Sequence, residues 1–577
     1  MGRVRSQNNR FLQDTFMKST AENNYYFSYQ LIDQLIKQGV QDFFLAPGSR
    51  STPLVLAVAN HFEARSHIHF DERGLAFYAL GCAKASKKPV ALIVTSGTAV
   101  GNLLPAVMEA KHDFVPLILL TADRPPELRD CGANQSCNQV NIFGSYVNWQ
   151  IDLPCADELS SIKSLSTTIA QAVYYAQGPV HLNCMFREPL SSAHKSPEPL
   201  SSIHYTRACL IPSSFIIEQY ASLLKEHTNG IIIATATSPV DPVVALAEKL
   251  HWPIFPDILS PLRALNHPLI ISHFDLILKT HPCSFEAVVQ IGERFVSKVL
   301  LQTLEKSPPK LYLQVLEGPH RFDPTHIINH RMQSDIPSFC QMLCLKLATS
   351  QISSHLPLWQ TRQLQTAKKL SDYFMKQTTL SEPAMAHLLG QKNSALFLGN
   401  SMPIRDANCY PSVVSGPVFA NRGLSGIDGN IATACGIAIG TQKHTLALLG
   451  DLSFLHDVNS LALVAKCPYP CTLIVINNQG GGIFSFLPLD QPKTIKEIFF
   501  ATTHEVSFSS AAKLFSLPYY APQDLASLKN LLQQDPHSCI IELMTNREKN
   551  LLDHRQIEEL LSEMFSSLKQ KESTLSL

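Results

Sequence analysis

The chain predicts an α/β protein built as three doubly wound parallel-sheet domains. Three observations carry this reading. HTLALL (444–449) and CTLIVI (471–476) are uninterrupted apolar runs of strand length, as expected of parallel strands covered on both faces. Such runs alternate with segments of helical periodicity, the pattern of a parallel sheet with crossover helices. The 577 residues leave room for about three to four domains of roughly 150 residues each.

In the first block, YQLIDQLIKQG (29–39) sets Leu31, Ile32, Leu35 and Ile36 on one helical face and stops at Gly39. A strand in VQDFFLAP follows, then a helix over about 72–86. PVALIVTS and FVPLILLTA are two further buried strands around a helix over about 99–111. HKSPEPLSSIH (194–204), rich in Pro and Ser, reads as a linker. The middle block repeats the alternation in GIIIATAT (230–237), EAVVQIG (286–292) and KLYLQVLEG (310–318). Polar sequence around 348–375 leads to the third block, with SALFLGN, HTLALLGD, CTLIVINN and SCIIELM as strands. Domains are therefore expected over 22–195, 205–360 and 376–565, with the last dozen polar residues frayed.

Composition excludes several classes of function. Apolar residues make up 45%, ordinary for a globular protein. Lys+Arg and Asp+Glu both number 47, so no net charge favours nucleic acid or anionic membranes. The 14 Cys are scattered, and the pairs Cys340/Cys344 and Cys467/Cys471 lack the CxxC spacing of a zinc or redox site. Buried free thiols in a reducing compartment are expected. The N-terminal MGRVRSQNNRFLQDTF has no apolar core and is not a secretory signal. No apolar run reaches the length of a membrane span. A cytoplasmic location is expected, with no membrane span and no nucleic-acid partner.

The most informative stretch runs from Gly450 to Gly482: GDLSF, a helix–strand interval, then NNQGGG. Gly450 lets backbone approach a phosphate at a strand's carboxyl end, where open α/β sheets bind ligands. Asp451 offers a carboxylate oxygen and Asn478, 27 residues later, a carbonyl oxygen. Mg2+ prefers a few hard oxygens, with phosphate and water completing the shell, and the Gly480 carbonyl is a third protein ligand of that kind. The competing reading is a strand–turn pair capped by common turn residues. The long step with a strand ending at each residue favours the metal site. Glu72, in FDERGLAF, follows Phe70 at a strand-to-helix junction. Alone it reads as a carboxylate at a helix N-terminus, a contact worth about 0.3–1 kcal/mol.

The ordered set APGSRSTP (46–53), FDERG (70–74), SGTAVGN (96–102), LLTADRPPEL (119–128), CGANQ (131–135), NSMPIRD (400–406), NRGLSGIDG (421–429), GDLSFLHD (450–457) and NNQGGGIF (477–484) resembles the menaquinone-pathway SEPHCHC synthases, a family of thiamin-diphosphate carboligases. The resemblance spans the chain and is strongest in blocks one and three. It implies pyrimidine-binding, central and diphosphate-binding domains holding thiamin diphosphate with Mg2+ or Mn2+. It also implies a reaction in which 2-oxoglutarate loses CO2 and its succinyl remainder adds to isochorismate. Glu72 is then the catalytic carboxylate on the aminopyrimidine ring, and Asp451, Asn478 and Gly480 hold the metal.

Further roles follow from the same resemblance. Arg405 and Arg422 would hold the oxoglutarate-derived chain, and Arg50 and Arg124 isochorismate, with Asn134 and Gln135 nearby. A guanidinium binds a carboxylate bidentately, which a lysine does not. Singly, each Arg reads as a surface or helix-end residue; four in Gly/Pro/Asn-rich segments beside predicted strand ends favour a site. Ile427 is the apolar wedge beneath the cofactor, although by pattern alone it reads equally as a core Ile. Ser401, Gly450, Leu452 and Ser453 are assigned to the diphosphate, and Ile483, Phe484 and Leu487 to the dry wall beside the thiazolium. His456 reads as a structural helix residue.

One departure stands out. The family places a Lys-Arg pair in the middle block as an extra isochorismate clamp, whereas here Lys298 is followed by Val299, with Arg294 nearby as a substitute. The middle block carries no dinucleotide fingerprint, and no FAD is expected. Glu72 and Asp451 serve opposite ends of one cofactor and in this superfamily come from different subunits. A homodimer or dimer of dimers, with active sites at the subunit interface, is therefore implied. The rival readings are another thiamin carboligase, such as an acetolactate synthase, and a catalytically silent thiamin-like subunit. The first needs no four carboxylate-binding arginines, and the joint presence of Glu72, Asp451 and Asn478 argues against the second.

Overall fold

The computed structural model describes residues 19–157, 162–191, 197–198, 200–347, 355–390, 392–488 and 490–575, with side chains to 567. The basic N-terminal stretch and parts of the segments 194–204 and 348–375 lie outside the described residues. The chain divides into two units, Met1–Tyr205 and Thr206–Leu577.

In the first unit, β1 (Asp42–Leu45), β2 (Arg65–Ile68), β3 (Val90–Val94), β4 (Leu117–Asp123), β5 (Trp149–Leu153) and β6 (Val180–Met185) form one sheet. Its order is β2-β1-β3-β4-β6-β5 and every pair is parallel. β3, β4 and β6 are buried along their whole length, which is why they read as unbroken apolar runs. The Thr20–Lys37 helix buries Leu31, Ile32, Leu35 and Ile36 in the core with Phe43, Ile93 and Leu120. The helix expected over about 99–111 is instead two, Thr98–Gly101 and Leu104–His112. The break precedes Pro105, which lacks the N–H a continuous helix needs. The described part of the Pro/Ser-rich segment is an extended strap on the first helix. Gln30 and Gln34 donate to the carbonyls of Glu198 and Leu200, Lys37 also to Leu200, and Gln38 to Ile203.

The second unit holds two sheets. β7 (Gly230–Ala234), β8 (Ile254–Pro256), β9 (Ala287–Ile291), β10 (Leu311–Leu316) and β11 (His330–Gln333) run in the order β11-β10-β9-β7-β8. β12 (Ala395–Leu398), β13 (Val418–Phe419), β14 (Thr445–Gly450), β15 (Cys471–Asn477), β16 (Tyr519–Tyr520) and β17 (Cys539–Met544) run in the order β13-β12-β14-β15-β17-β16. All their pairings are parallel. The three sheets bear out the doubly wound α/β class.

Polar sequence leading into the third block proves to contain a helix, His355–Met375, that buries Leu356, Trp359, Leu370 and Phe374. The Trp359 ring packs at 4.8 Å against Phe255. Its apolar residues are few but fall on one face, so mean polarity hid the periodicity. The C-terminal Arg547–Leu575 helix likewise continues through most of the residues expected to fray, with Ile557, Leu561 and Phe565 buried at one-turn spacing. Among the described residues no helix is long and apolar enough to cross a membrane. All cysteines are free; Cys82, Cys184, Cys340 and Cys471 are buried, whereas Cys131, Cys137 and Cys209 are exposed.

Candidate active site

In the third sheet the order reverses between β12 and β14, and doubly wound sheets bind ligands at the carboxyl ends of strands at such a switch. Asp451 follows β14 directly and Asn478 follows β15. The Asp451 carboxylate is 2% exposed. Its Oδ1 accepts from the Leu452 N–H at 2.6 Å, and its Oδ2 from the N–H groups of Asn478 at 3.2 Å and Gly480 at 2.9 Å. The side chain therefore shapes the turn that carries the other two expected ligands. Burial raises its pKa, opposed by the Gly480 and Leu452 N–H groups. His504, which sequence reasoning missed, places Nε2 3.4 Å from the same Oδ2.

Asn478 spends Nδ2 on Glu382 Oε1 at 3.0 Å, while its Oδ1 is buried with no hydrogen-bond partner among the described residues. A buried carboxylate beside an unpartnered amide oxygen is a donor set suited to a hard divalent cation. Gly480 sits at φ 140°, and a Cβ there would meet the Ala501 carbonyl oxygen at 2.5 Å, so only glycine fits. A Cβ on Gly450 would meet nothing within 4 Å, so that strand end has the open space a phosphate needs.

Around this centre a polar network fixes the NRGLSGIDG loop. Asn400 donates to the Asn421 and Gly426 carbonyls, both at 2.8 Å, and its Oδ1 accepts from Arg422 Nη1 at 2.7 Å. Asn430 Nδ2 and Ser453 Oγ both donate to the Ile427 carbonyl, at 3.0 and 2.9 Å. The Ile427 side chain nevertheless remains 41% exposed, an apolar group projecting from a pinned backbone. Ser453 spends its hydroxyl on this network. Leu487 is 42% exposed, and Phe484 packs edge-on to Phe500 at 5.8 Å; both, with Ile483, lie on or beside the short Gly482–Phe486 helical turn.

Ser401 holds a left-handed φ of 73° at the turn after β12, a strained conformation of the kind retained at functional sites. Arg405, one helical turn on, is exposed and donates to the Ser401 carbonyl. Arg294 donates to the carbonyls of Arg422 and Gly423 and stacks over Phe322 at 5.1 Å, so it braces the Arg422 segment. Lys298 opens the Lys298–Lys306 helix and is exposed.

In the first unit the predicted residues also follow strand ends. Glu72 opens the Glu72–Ser86 helix after β2, with Asp71 as the cap that accepts from Arg73 and Gly74 N–H. Arg50, after β1, is 6% exposed and donates Nη1 to the Phe186 carbonyl at 2.9 Å and Nη2 to Glu188 Oε1 at 2.6 Å. Its guanidinium thus holds one carboxylate oxygen through a single nitrogen, with Nη1 taken by a backbone carbonyl. Arg124, after β4, donates to Ser96 Oγ; Gln135 and Ser96 exchange two side-chain–backbone bonds, each 3.0 Å. Burial first, and the nearby Arg50 charge second, lower the Arg124 pKa, so an anion would relieve both. Asn134 is exposed on the same loop.

A buried cluster behind Asn478 was not foreseen. Glu382 also accepts from Thr545 Oγ1 at 3.3 Å, and His554 Nε2 lies 3.2 Å from Asp406 Oδ1, next to Arg405. Burial first, and the Asp406 charge second, push Glu382 up to about 7. Burial opposes a charged His554, yet Asp406, Glu382 and Glu558 together raise its pKa above 6.5. Both groups hold their proton more tightly folded than unfolded. Their stabilisation is therefore complete below the unfolded pKa and is lost as pH rises through the folded one. For Glu382 that window runs from 4.5 to about 7. The metal- and cofactor-free protein should accordingly lose thermal stability from about pH 4.5 to about pH 7, with a shallower slope in Glu382→Gln. Scanning calorimetry across that range checks this, and an equally steep variant would contradict it.

Comparison with known proteins shows the family and the fold. The chain matches the thiamine pyrophosphate enzyme N-terminal TPP binding domain over residues 27–142, the middle domain of thiamine pyrophosphate enzymes over 204–398, and the C-terminal TPP binding domain over 407–538. It is 39% identical to the 2-succinyl-5-enolpyruvyl-6-hydroxy-3-cyclohexene-1-carboxylate synthase of Rubrobacter xylanophilus, covering 91% of this chain and 96% of that one. It is 38% identical to the enzyme of the same name from Salinibacter ruber, covering 92% and 96%. The crystal structure of benzoylformate decarboxylase from Polynucleobacter necessarius shares the fold, with a TM-score of 0.70 at 16% identity over 90% of this chain and 99% of that one. The chain belongs to the 2-succinyl-5-enolpyruvyl-6-hydroxy-3-cyclohexene-1-carboxylate (SEPHCHC) synthase family of thiamin-diphosphate enzymes.

Proposed function

We propose that the protein is a decarboxylating carboligase of menaquinone biosynthesis that joins 2-oxoglutarate, as a succinyl unit, to isochorismate, giving SEPHCHC and CO2. The observation that carries this reading is the occurrence of four arginines in segments that follow strand ends, two in each unit, together with the cofactor-type metal turn of the second unit. Both substrates are dicarboxylates, and guanidinium groups suit them. Thiamin diphosphate, when bound, supplies the nucleophilic carbon that adds to a 2-oxoacid and accepts the electron pair left by departing CO2.

The chain's residues bind, orient and keep water out. Asp451, Asn478 and Gly480 would hold Mg2+ or Mn2+ against the diphosphate, whose oxygens would meet Ser401, Gly450, Leu452 and Ser453. Glu72 would hold a proton at the aminopyrimidine ring nitrogen. Arg422, fixed by Asn400 and braced by Arg294, would take the oxoglutarate side-chain carboxylate together with Arg405. Arg50 and Arg124 would take isochorismate, with Asn134, Gln135 and Lys298 around it. Ile427, Ile483, Phe484 and Leu487 form the apolar surface that limits stray protonation by water. A cytoplasmic homodimer or dimer of dimers belongs to the same reading.

Single-turnover kinetics test this division. Arg405→Ala and Arg422→Ala should slow decarboxylation of 2-oxoglutarate. Arg50→Ala and Arg124→Ala should spare that step and raise the isochorismate requirement. Each lost charge-assisted contact should cost about 1.5–3 kcal/mol, roughly 10- to 150-fold in kcat/KM. Lys replacements should recover only part of it. If all four variants affected one half-reaction only, the division would be wrong.

A further inference from the structure

The Asn478 carboxamide can present either end to a cation, and only its oxygen binds one. What settles its orientation is a carboxylate 96 residues away in sequence, Glu382. Glu382 opens the Glu382–Leu389 helix, is 2% exposed, and has the neutral Asn478 and Thr545 side chains as hydrogen-bond donors to Oε1. Burying a carboxylate on two neutral donors is a costly way to stabilise a fold. An ionised carboxylate only accepts hydrogen bonds, so Glu382 in that form draws Nδ2 of Asn478 towards itself and leaves Oδ1 facing away. That Oδ1 is the buried atom with no partner among the described residues. The backbone N–H groups on either side, of Asn478 and Gly480, are meanwhile tied to Asp451 Oδ2. Main chain and side chain of the turn are thus fixed by two different carboxylates, one on each side.

We propose that Glu382 is the positioning residue of the metal centre, holding the Asn478 amide with its oxygen presented to the cation. The proposal rests on the reading of Asp451 and Asn478 as metal ligands. Partners that orient a ligand typically change metal affinity 10- to 100-fold when removed. Thr545, as second donor, holds Glu382 itself in place.

The test is Mn2+ affinity at saturating thiamin diphosphate, read by electron paramagnetic resonance of free Mn2+, independently of turnover. Glu382→Met, which keeps the side chain's length without a strong acceptor, should weaken Mn2+ binding by about 10- to 100-fold. Glu382→Gln should bind close to the parent, because its amide oxygen still accepts from Asn478. Glu382→Leu serves in place of Glu382→Met if the latter does not fold. In the Asn478→Ala background, the Glu382 replacement should cost nothing further, since the two side chains act through one contact. Unchanged Mn2+ affinity in Glu382→Met, or full additivity with Asn478→Ala, would overturn the proposal. Asp451→Ala separates the two levels. If it binds Mn2+ as the parent does, the metal-site reading itself fails; if it alone loses Mn2+, only the role of Glu382 fails.

Discussion

Glu72→Gln should leave thiamin diphosphate and Mg2+ bound while slowing turnover by about 10²–10⁴-fold, the usual worth of a positioned acid–base group. The substitution is nearly isosteric. The helix start is capped by Asp71, not by Glu72, so the fold loses only a dipole contact of about 0.3–1 kcal/mol. Exchange of the C2 proton of the bound cofactor, followed by NMR after rapid quench, should slow with turnover, because both depend on the same carboxylate. Near-normal exchange in a variant that binds the cofactor would remove Glu72 from this role.

Asp451→Ala should weaken Mg2+-dependent cofactor retention by more than about 100-fold, beyond what loss of an orienting partner costs. Two losses combine here: a ligand oxygen, and the anchor for the Asn478 and Gly480 N–H groups. Asp451→Asn separates them in part, since its one amide oxygen can still accept from the Asn478 and Gly480 N–H groups, while the charge and the acceptor for the Leu452 N–H are lost. In the metal-free protein Asp451→Asn should unfold within about 1–3 kcal/mol of the parent, because relief of the buried charge is set against the Leu452 N–H left without its acceptor. It should still bind the Mg2+–cofactor pair poorly in calorimetry, with partial recovery at millimolar Mg2+. Unchanged cofactor affinity in Asp451→Ala would take this residue out of the metal centre.

Interior strands such as β3, β4, β14 and β15 were legible because burial on both faces writes an apolar run into the sequence. Edge strands were not. β2, RSHI, is largely exposed, and β13 and β16 are two residues long. The His355–Met375 helix escaped because its few buried residues lie among Gln, Lys and Thr. Among candidate site residues, the sequence singles out those in Gly-rich turns at strand ends, since phosphate, metal and carboxylate binding need those residue types there. Glu382, His504, Glu188 and His554 were missed for a physical reason. Each acts through a contact with a residue distant in sequence, and none stands in a turn whose composition announces it. SEPAMAHLL reads locally as a capped helix start, which it also is. Its alignment with Asn478 exists only once the third sheet has formed.

In the proposed reaction this chain decarboxylates 2-oxoglutarate and passes the succinyl remainder to isochorismate. The most direct measurement is CO2 release from carboxyl-labelled 2-oxoglutarate by the cofactor- and Mg2+-loaded protein, with and without isochorismate, and with product identified by mass. Slow release alone, fast release with isochorismate, and one SEPHCHC formed per CO2 are expected. Absence of release from 2-oxoglutarate, with turnover of pyruvate in its place, would contradict the proposed reaction.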